Sequence, residues 1–137
     1  MLKVETVAIH FTVPLKPISK KNNSRIFRPK GMNHPMVVPS KQYMEYEKNA
    51  MRFIPKGETI NKPVNVKCLF YMPTRHKCDL VNMQESILDV MVKAGLLADD
   101  NYRIVQSMDG SRVLYDKENP RTEVYITEAK EGESDAR

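Results

Sequence analysis

The segment from Leu80 to Ala94 constrains the fold most, because its apolar residues recur at helical spacing. At 100° per residue, most of its apolar side chains fall within about 80° of one line along a helix, opposite Glu85 and Asp89. Gly95 follows, and a glycine in the left-handed conformation commonly ends a helix. The segment therefore predicts an amphipathic helix that packs its apolar face on another layer.

Two stretches of alternating apolar and polar residues, 4–13 and 64–70, predict half-buried strands. Ser40 can cap a first helix that ends at Pro55, and residues 14–35 read as a long loop with a short strand at 25–27. Further strands are predicted at 102–108, 112–115 and 123–127. This order predicts an α/β (α+β) fold, a two-layer sandwich with a mixed β-sheet and helices on one side.

The length of 137 residues suits one compact domain, which we place at residues 1–130, followed by an acidic flexible tail at 131–137. No apolar run approaches the roughly 18 residues of a membrane span, and the N-terminus lacks the phases of a signal peptide. We therefore expect a cytoplasmic protein that makes no membrane contact. Cys68 and Cys78 are expected to be free and reduced.

Charge divides the chain before Asp79. Residues 1–78 carry 15 Lys and Arg against 4 acids, whereas residues 79–137 carry 7 against 13. Clustered cations favour a polyanion, because each cation placed against a phosphate releases condensed counterions. A solvated surface that keeps the protein soluble is the alternative reading of the same charges.

Five carboxylates lie in or beside the second predicted helix, and each has a local explanation except the last two. Asp79 can cap the helix, Glu85 can be solvated, and Asp89 can pair with Lys93 one turn later. Asp99 and Asp100 follow an apolar run, where two adjacent like charges bring nothing to folding. Carboxylate oxygens are natural ligands of Mg²⁺, and a metal at a phosphodiester can activate water.

Several motifs together resemble the RusA family of Holliday-junction resolvases, small enzymes often carried by prophages. They are Tyr71-Met72-Pro73 with a basic run after it, Asp79-Leu80-x-Asn82-x-Gln84, Lys93-Ala94-Gly95, Asp99-Asp100 and Ile126-Thr127-Glu128. The resemblance implies a homodimeric, Mg²⁺-dependent endodeoxyribonuclease with Mn²⁺ as a substitute. It also implies binding of branched DNA, paired nicks in four-way junctions, and a role in DNA recombination and repair.

The resemblance places the family's first acidic ligand on Asp79 and a later one on Asp100. Two positions depart from the family: its second aspartate is Val81 here, and its lysine one turn later is Glu85. Because these positions lie i and i+4 on one helix edge, we predict that Glu85 replaces the lost ligand.

Other residues receive supporting roles in this prediction. Asn82 would hold a ligand carboxylate or a metal-bound water, and Asp99 is a secondary metal ligand. A basic set would line the phosphate path and position DNA without reading bases: Lys16, Lys20, Lys21, Arg25, Arg28, Arg75, His76 and Lys77. One of Lys77, Arg75 and the lysines of residues 14–30 would take over the role of the missing family lysine.

Distance leaves two arrangements open, because Asp79 and Gly95 lie at opposite ends of a helix about 24 Å long. Either residues 95–100, which span at most about 17 Å, double back along the helix, or a two-fold partner contributes Asp100 in trans. Val81 and Val92 widen the apolar face, which makes a homodimer plausible.

Two other function classes compete with the nuclease. The first is a non-catalytic branched-DNA-binding protein, for which Val81 would mark lost nuclease activity. The second is a protein-interaction or structural domain unrelated to DNA. No glycine-rich phosphate loop is present, so we expect no nucleotide cofactor.

Overall fold

The computed structural model of the chain describes residues 7–20, 24–31 and 33–129. Its strands are β1 (Val7–Val13), β2 (Ser24–Phe27), β3 (Met36–Pro39), β4 (Val64–Met72), β5 (Val105–Ser107), β6 (Arg112–Tyr115) and β7 (Arg121–Glu128). Its helices are α1 (Lys41–Ala50), a short 3-10 turn (Met51–Phe53) and α2 (Leu80–Lys93). The predicted tail at 131–137 and Lys21 lie outside the described residues.

The main sheet has five strands in mixed orientation. Strands run in the order β1, β7, β4, β5, and β6 also pairs with β4. The pairs β1–β7 and β7–β4 are antiparallel, whereas β5 and β6 both run parallel to β4 at different positions along it. The mixed sheet with two α-helices confirms the predicted α+β class at this level.

One face of the sheet forms the core together with both helices. Val64, Val66, Cys68 and Phe70 are buried at alternate positions of β4, as their period-2 pattern predicted. They share one hydrophobic cluster with residues of β1, β7, α1 and α2. This packing fixes the buried side of α2 and leaves its acidic side toward the loops.

The caps of the helices follow from local chemistry. The Ser40 hydroxyl accepts a hydrogen bond from the Tyr43 amide at 3.1 Å, so the predicted cap of α1 is present. Gly95 has φ of 85°, the left-handed conformation that favours glycine, and the chain leaves α2 there.

The 14–35 stretch and the region after α2 differ from their predictions. The predicted short strand at 25–27 is present as β2, but it pairs with β3, a strand that was not predicted. The strand predicted at 102–108 is shorter in the structure, where β5 begins at Val105. Residues 101–104 form a turn instead, in which the Ile104 and Val105 amides both donate to the Asn101 carbonyl.

Two further expectations can be compared with the structure. Cys68 and Cys78 are both free thiols, as expected, and burial raises the pKa of Cys68 to about 12. Within the ranges that the structure covers, neither helix is long and apolar enough to cross a bilayer.

Candidate active site

The acidic side of α2 opens onto a cleft of about 530 Å³. Three carboxylates line it, Glu85 and Asp89 from α2 and Asp100 from the segment that follows the helix. Lys20 contributes a cation, and residues 37–39 of β3 form an apolar wall. One chain therefore brings three carboxylates and an ammonium group to a single concave surface.

Asp100 reaches this cleft because the chain doubles back after α2. The Leu96 amide donates to the Met91 carbonyl at 2.9 Å, which folds residues 96 and 97 against the last turn of the helix. The Ile60 amide donates to the Leu96 carbonyl, and the Ala98 amide donates to the Ile60 carbonyl. Residues 95–98 therefore turn back on the end of α2, but Asp79 does not line the cleft, so whether Asp79 and Asp100 meet within one chain or across two stays a prediction.

Lys20 is attached to α2 at two points one helical turn apart. Its backbone amide donates to the Ser86 hydroxyl at 2.8 Å, and its ammonium group donates to the Asp89 carboxylate at 3.2 Å. The Ser86 hydroxyl in turn donates to the Asn82 carbonyl at 3.1 Å, so this buried hydroxyl both donates and accepts. Residues 14–20 are therefore fixed to the helix at the position that presents Lys20 to the carboxylates.

Asp99 and Asp100 differ in protonation behaviour although they are adjacent. The Asp100 amide donates to the Asp99 carboxylate at 2.7 Å, and this bond lowers the pKa of Asp99. The pKa of Asp100 is raised, first by loss of hydration and then by the neighbouring Asp99 and Asp89. Asp89 and Asp100 line the same cleft, so their like charges oppose ionisation of Asp100.

The N-terminal end of α2 holds a separate carboxylate. Asp79 occupies the N-cap position, as predicted, but its side chain accepts no capping hydrogen bond from a backbone amide of α2. Asp79 is exposed and accepts a hydrogen bond from the Asn82 side-chain amide at 3.2 Å. Asn82 was predicted to hold a carboxylate in this way. Asp79 is not among the residues that line the cleft.

The expected pairing of Asp89 with Lys93 is wrong. Lys93 instead donates to both carboxylate oxygens of Glu47 on α1, at 2.9 and 3.0 Å. Asp89 forms its ion pair with Lys20. Helical spacing allowed the local pair, but the fold gives Lys93 a partner on α1 and gives Asp89 a partner in Lys20.

Sequence reasoning missed Asp89, Ser86 and the β3 wall as parts of the site. The helical projection did place Asp89 beside Glu85 on the face opposite the core, which is the signal that could have indicated Asp89. Ser86 and Asn82 are buried although they lie on that face, because residues 14–20 cover it.

The predicted DNA-binding residues lie on several elements. Lys20 is in the acidic cleft, Arg28 is exposed after β2, and the exposed residues 75–77 follow β4 and lead to Asp79. Arg75 lies over the Tyr115 ring at 4.0 Å. Lys16 lines a second cleft of about 430 Å³ beside Arg121, and the backbone of Arg25 lies in β2.

The oxygen donors of the acidic cleft suit Mg²⁺ in type. In the part of the chain that the structure covers, no three His, Cys, Asp or Glu side chains converge as a complete metal-binding cluster. Mg²⁺ at phosphoryl-transfer sites is usually held by one or two carboxylates, with water and substrate phosphate completing the shell. A Mg²⁺ ion bound at this cleft would therefore need water and substrate phosphate as further ligands.

Comparison with known proteins settles the family. A sequence model described as endodeoxyribonuclease RusA matches residues 14–127, which include both helices and four of the five strands of the main sheet, with β1 outside the match. The chain belongs to the RusA family. The resemblance found in the motifs is thereby confirmed, and with it the endodeoxyribonuclease class of the family.

Two curated relatives carry the same family name. The crossover junction endodeoxyribonuclease RusA of Aquifex aeolicus (strain VF5) is 35% identical over 88 residues, covering 62% of this chain and 66% of that protein. The crossover junction endodeoxyribonuclease rusA of Enterobacteria phage 82 is 32% identical over 105 residues, covering 71% of this chain and 81% of the phage protein. The phage relative fits the expected association of the family with prophages.

Proposed function

We propose that this chain is a structure-selective endodeoxyribonuclease that resolves four-way DNA junctions by paired nicks during DNA recombination and repair in the cytoplasm. The observation that carries the proposal is the cleft lined by Glu85, Asp89, Asp100 and Lys20 in a member of a nuclease family. Both relatives are named for cutting crossover junctions, and the substrate class is taken from that name.

In this proposal the cleft carboxylates hold Mg²⁺, with Mn²⁺ as a substitute. Asp100 and Glu85 would be the ligands, and Asp89 would hold Lys20 in place as well as facing the ion. Bound there, the metal would supply an activated water and neutralise charge on the phosphate. Asp79 and Asp99, predicted as ligands, lie at or beyond the margin of this cleft and keep that role only as a prediction.

Glu85 replaces the acidic ligand that the family has at Val81. Val81 is 61% exposed, and Glu85 lies one turn further along the same edge of α2, on the cleft. A carboxylate moved by one turn toward Asp100 stays on the side of the helix where the metal is proposed to bind.

Lys20 takes the role of the lysine that the family has at position 85. Among the candidate cations that the structure describes, Lys20 is the one that lines the cleft together with Asp100. Its ammonium group is held by Asp89 and its backbone by Ser86, so a phosphate entering the cleft would meet a cation that is already positioned.

The proposed assembly is a homodimer, because two nicks in one junction need two centres. The exposed Val81 is compatible with a subunit contact on α2. Val92, the other residue that suggested a wide apolar face, packs partly buried against the core of its own chain, so the apolar surface left for a partner is narrower than expected.

The test is cleavage and binding of a labelled synthetic four-way junction and a linear duplex of the same sequence. Wild type and Glu85→Gln are compared in Mg²⁺ and in EDTA, with Glu45→Gln on the exposed side of α1 as the matched control. We expect symmetric nicks in the junction only, in Mg²⁺ only, from wild type and the control. Glu85→Gln should bind the junction and cut it at least tenfold more slowly.

Each contrary result removes a different part of the proposal. Cleavage by Glu85→Gln at the wild-type rate would refute the ligand replacement. Binding of the junction by wild type without any nick would make the protein a branched-DNA-binding protein, and indifference to branched DNA would remove the proposed substrate.

A further inference from the structure

The β2–β3 hairpin exposes apolar side chains that the fold of its own chain does not use. Ile26 lies opposite Val37 in the register of the two strands, so both project to the same face. They are 69% and 75% exposed. Phe27 and Met36 form the next pair and are 45% and 42% exposed. A two-stranded ribbon of this size gains nothing from presenting apolar groups to water.

The charge around this ribbon favours a polyanion as the group that covers it. Residues 14–44 contain seven Lys and Arg and no Asp or Glu, and Arg28 and Lys30 at the hairpin tip are exposed. A second copy docked through the same face would place these cations against their own equivalents, since a two-fold interface brings each patch against itself. A DNA backbone would instead lie between them.

The hairpin also stands at the proposed cutting site. Val37, Val38 and Pro39 line the cleft that holds Glu85 and Asp100. A DNA strand whose phosphate enters that cleft therefore has β3 beside it. Two-stranded ribbons can enter a groove of DNA, and apolar side chains of DNA-bound proteins insert between base steps where stacking is weakened.

We propose that the β2–β3 hairpin is the element that selects branched DNA, with Ile26 and Val37 packing on bases that are unstacked at the branch point. The inference rests on the proposed nuclease function and adds a selectivity element to it. The cations of residues 14–44 would bind any DNA backbone, whereas the apolar pair would gain contact only where base faces are open, as they are at a junction and not in a continuous duplex.

The test uses the full chain with Ile26→Ser and Val37→Ser combined. The control is Met44→Ser combined with Phe53→Ser, which removes two apolar side chains that are 52% and 42% exposed from α1 and the turn after it. Binding is measured for a four-way junction and a linear duplex, and 2-aminopurine at the branch centre reports unstacking by its fluorescence. Sedimentation velocity of each protein reports self-association.

We expect the hairpin variant to bind the junction roughly tenfold more weakly, as loss of a contact to one base would cause, with duplex binding unchanged. The 2-aminopurine signal on binding should fall, and the control should behave as wild type. Unchanged junction binding and fluorescence would overturn the inference. Dissociation of a wild-type dimer in the hairpin variant would also overturn it, and would make a second copy the partner of this face.

The same data separate this inference from the proposed function. If wild type cuts junctions and the hairpin variant keeps the wild-type preference for junctions, the proposed nuclease function stands and the role given to the hairpin is refuted. Wild type that does not distinguish a junction from a duplex refutes the proposed substrate, and the hairpin inference with it.

Discussion

The two halves of α2 differ in what the rest of the chain brings to their carboxylates. In the C-terminal half, Asp89 meets Lys20 and shares a cleft with Asp100. At the N-terminal end, Asp79 is exposed and has Asn82 from its own helix as a hydrogen-bond partner. Ten residues at 1.5 Å each separate Asp79 from Asp89 by about 15 Å along the axis.

The difference shows what turns a carboxylate into part of a site. The same residue type stands at both ends of the helix, but two other segments, residues 14–20 and 95–100, return to the C-terminal half. We therefore expect the chemistry to depend more on that half, and the following changes test this expectation.

The largest effect is expected from Asp100→Asn compared with Asp79→Asn. Loss of a cleft carboxylate should reduce junction nicking by roughly a hundredfold or more, because the proposed metal would lose a ligand. Asp79→Asn should reduce it by clearly less, since Asp79 does not line the cleft. Nicking rates are measured at saturating protein, with Asp109→Asn in the turn after β5 as the control. Equal losses from the two variants would mean that both helix ends serve one centre.

Lys20→Met should have the next largest effect, about tenfold or more on the nicking rate, with little change in junction affinity. The cation is proposed to act on the phosphate in the transition state, and many other cations contribute to binding. Lys20→Arg should recover part of the rate. Lys62→Met is the control, because Lys62 forms a comparable surface pair with Glu128 away from the cleft. A loss of affinity that accounts for the whole change in rate would contradict the role given to Lys20.

Ser86→Ala removes the hydroxyl that holds the Lys20 amide and should cost about 1 kcal/mol in the free energy of unfolding. Nicking should slow by a few-fold, because Lys20 loses one of the two hydrogen bonds that it makes to α2. Hydrogen exchange of the Lys20 amide should accelerate, whereas the Val64 amide, bonded to the Ile104 carbonyl, should not change. Unchanged exchange at Lys20 would show that Ser86 does not hold this segment.

The smallest effect is a pH-dependent gain in stability from Asp100→Asn. The pKa of Asp100 is raised in the folded state, so the folded protein binds more protons than the unfolded chain above the ordinary aspartate pKa. Asp100 therefore lowers stability as pH rises through that window, and its removal should raise the melting temperature slightly at pH 7 and not at pH 3. A melting temperature below that of wild type at pH 7 would contradict this sign.

The sequence predicted the elements that are defined by local periodicity. The alternation at 64–70 and the helical spacing at 80–94 correspond to β4 and α2, because each pattern records one buried face. The strand β3 was missed, because Met36–Pro39 shows no alternation of apolar and polar residues. Its partner β2 is equally short and gives no further signal for the pairing.

Some of the residues that line the cleft were named from the sequence, and their roles stay predictions. Glu85, Asp100 and Lys20 were named from the sequence and lie together. Asp89 was assigned to Lys93 by an i, i+4 rule that packing overrode. No local rule could indicate that residues 14–20 would cover Ser86, because that contact joins positions 66 residues apart.

The most direct test of a cutting centre built within one chain is complementation between two inactive variants. Asp89→Asn and Asp100→Asn are purified separately and mixed through unfolding and refolding, and junction nicking by the mixture is compared with each variant alone. A centre assembled from one chain predicts no recovery, because every subunit lacks one of its own carboxylates. Nicking restored in the mixture would contradict the account, because it would show that Asp89 and Asp100 meet across two subunits.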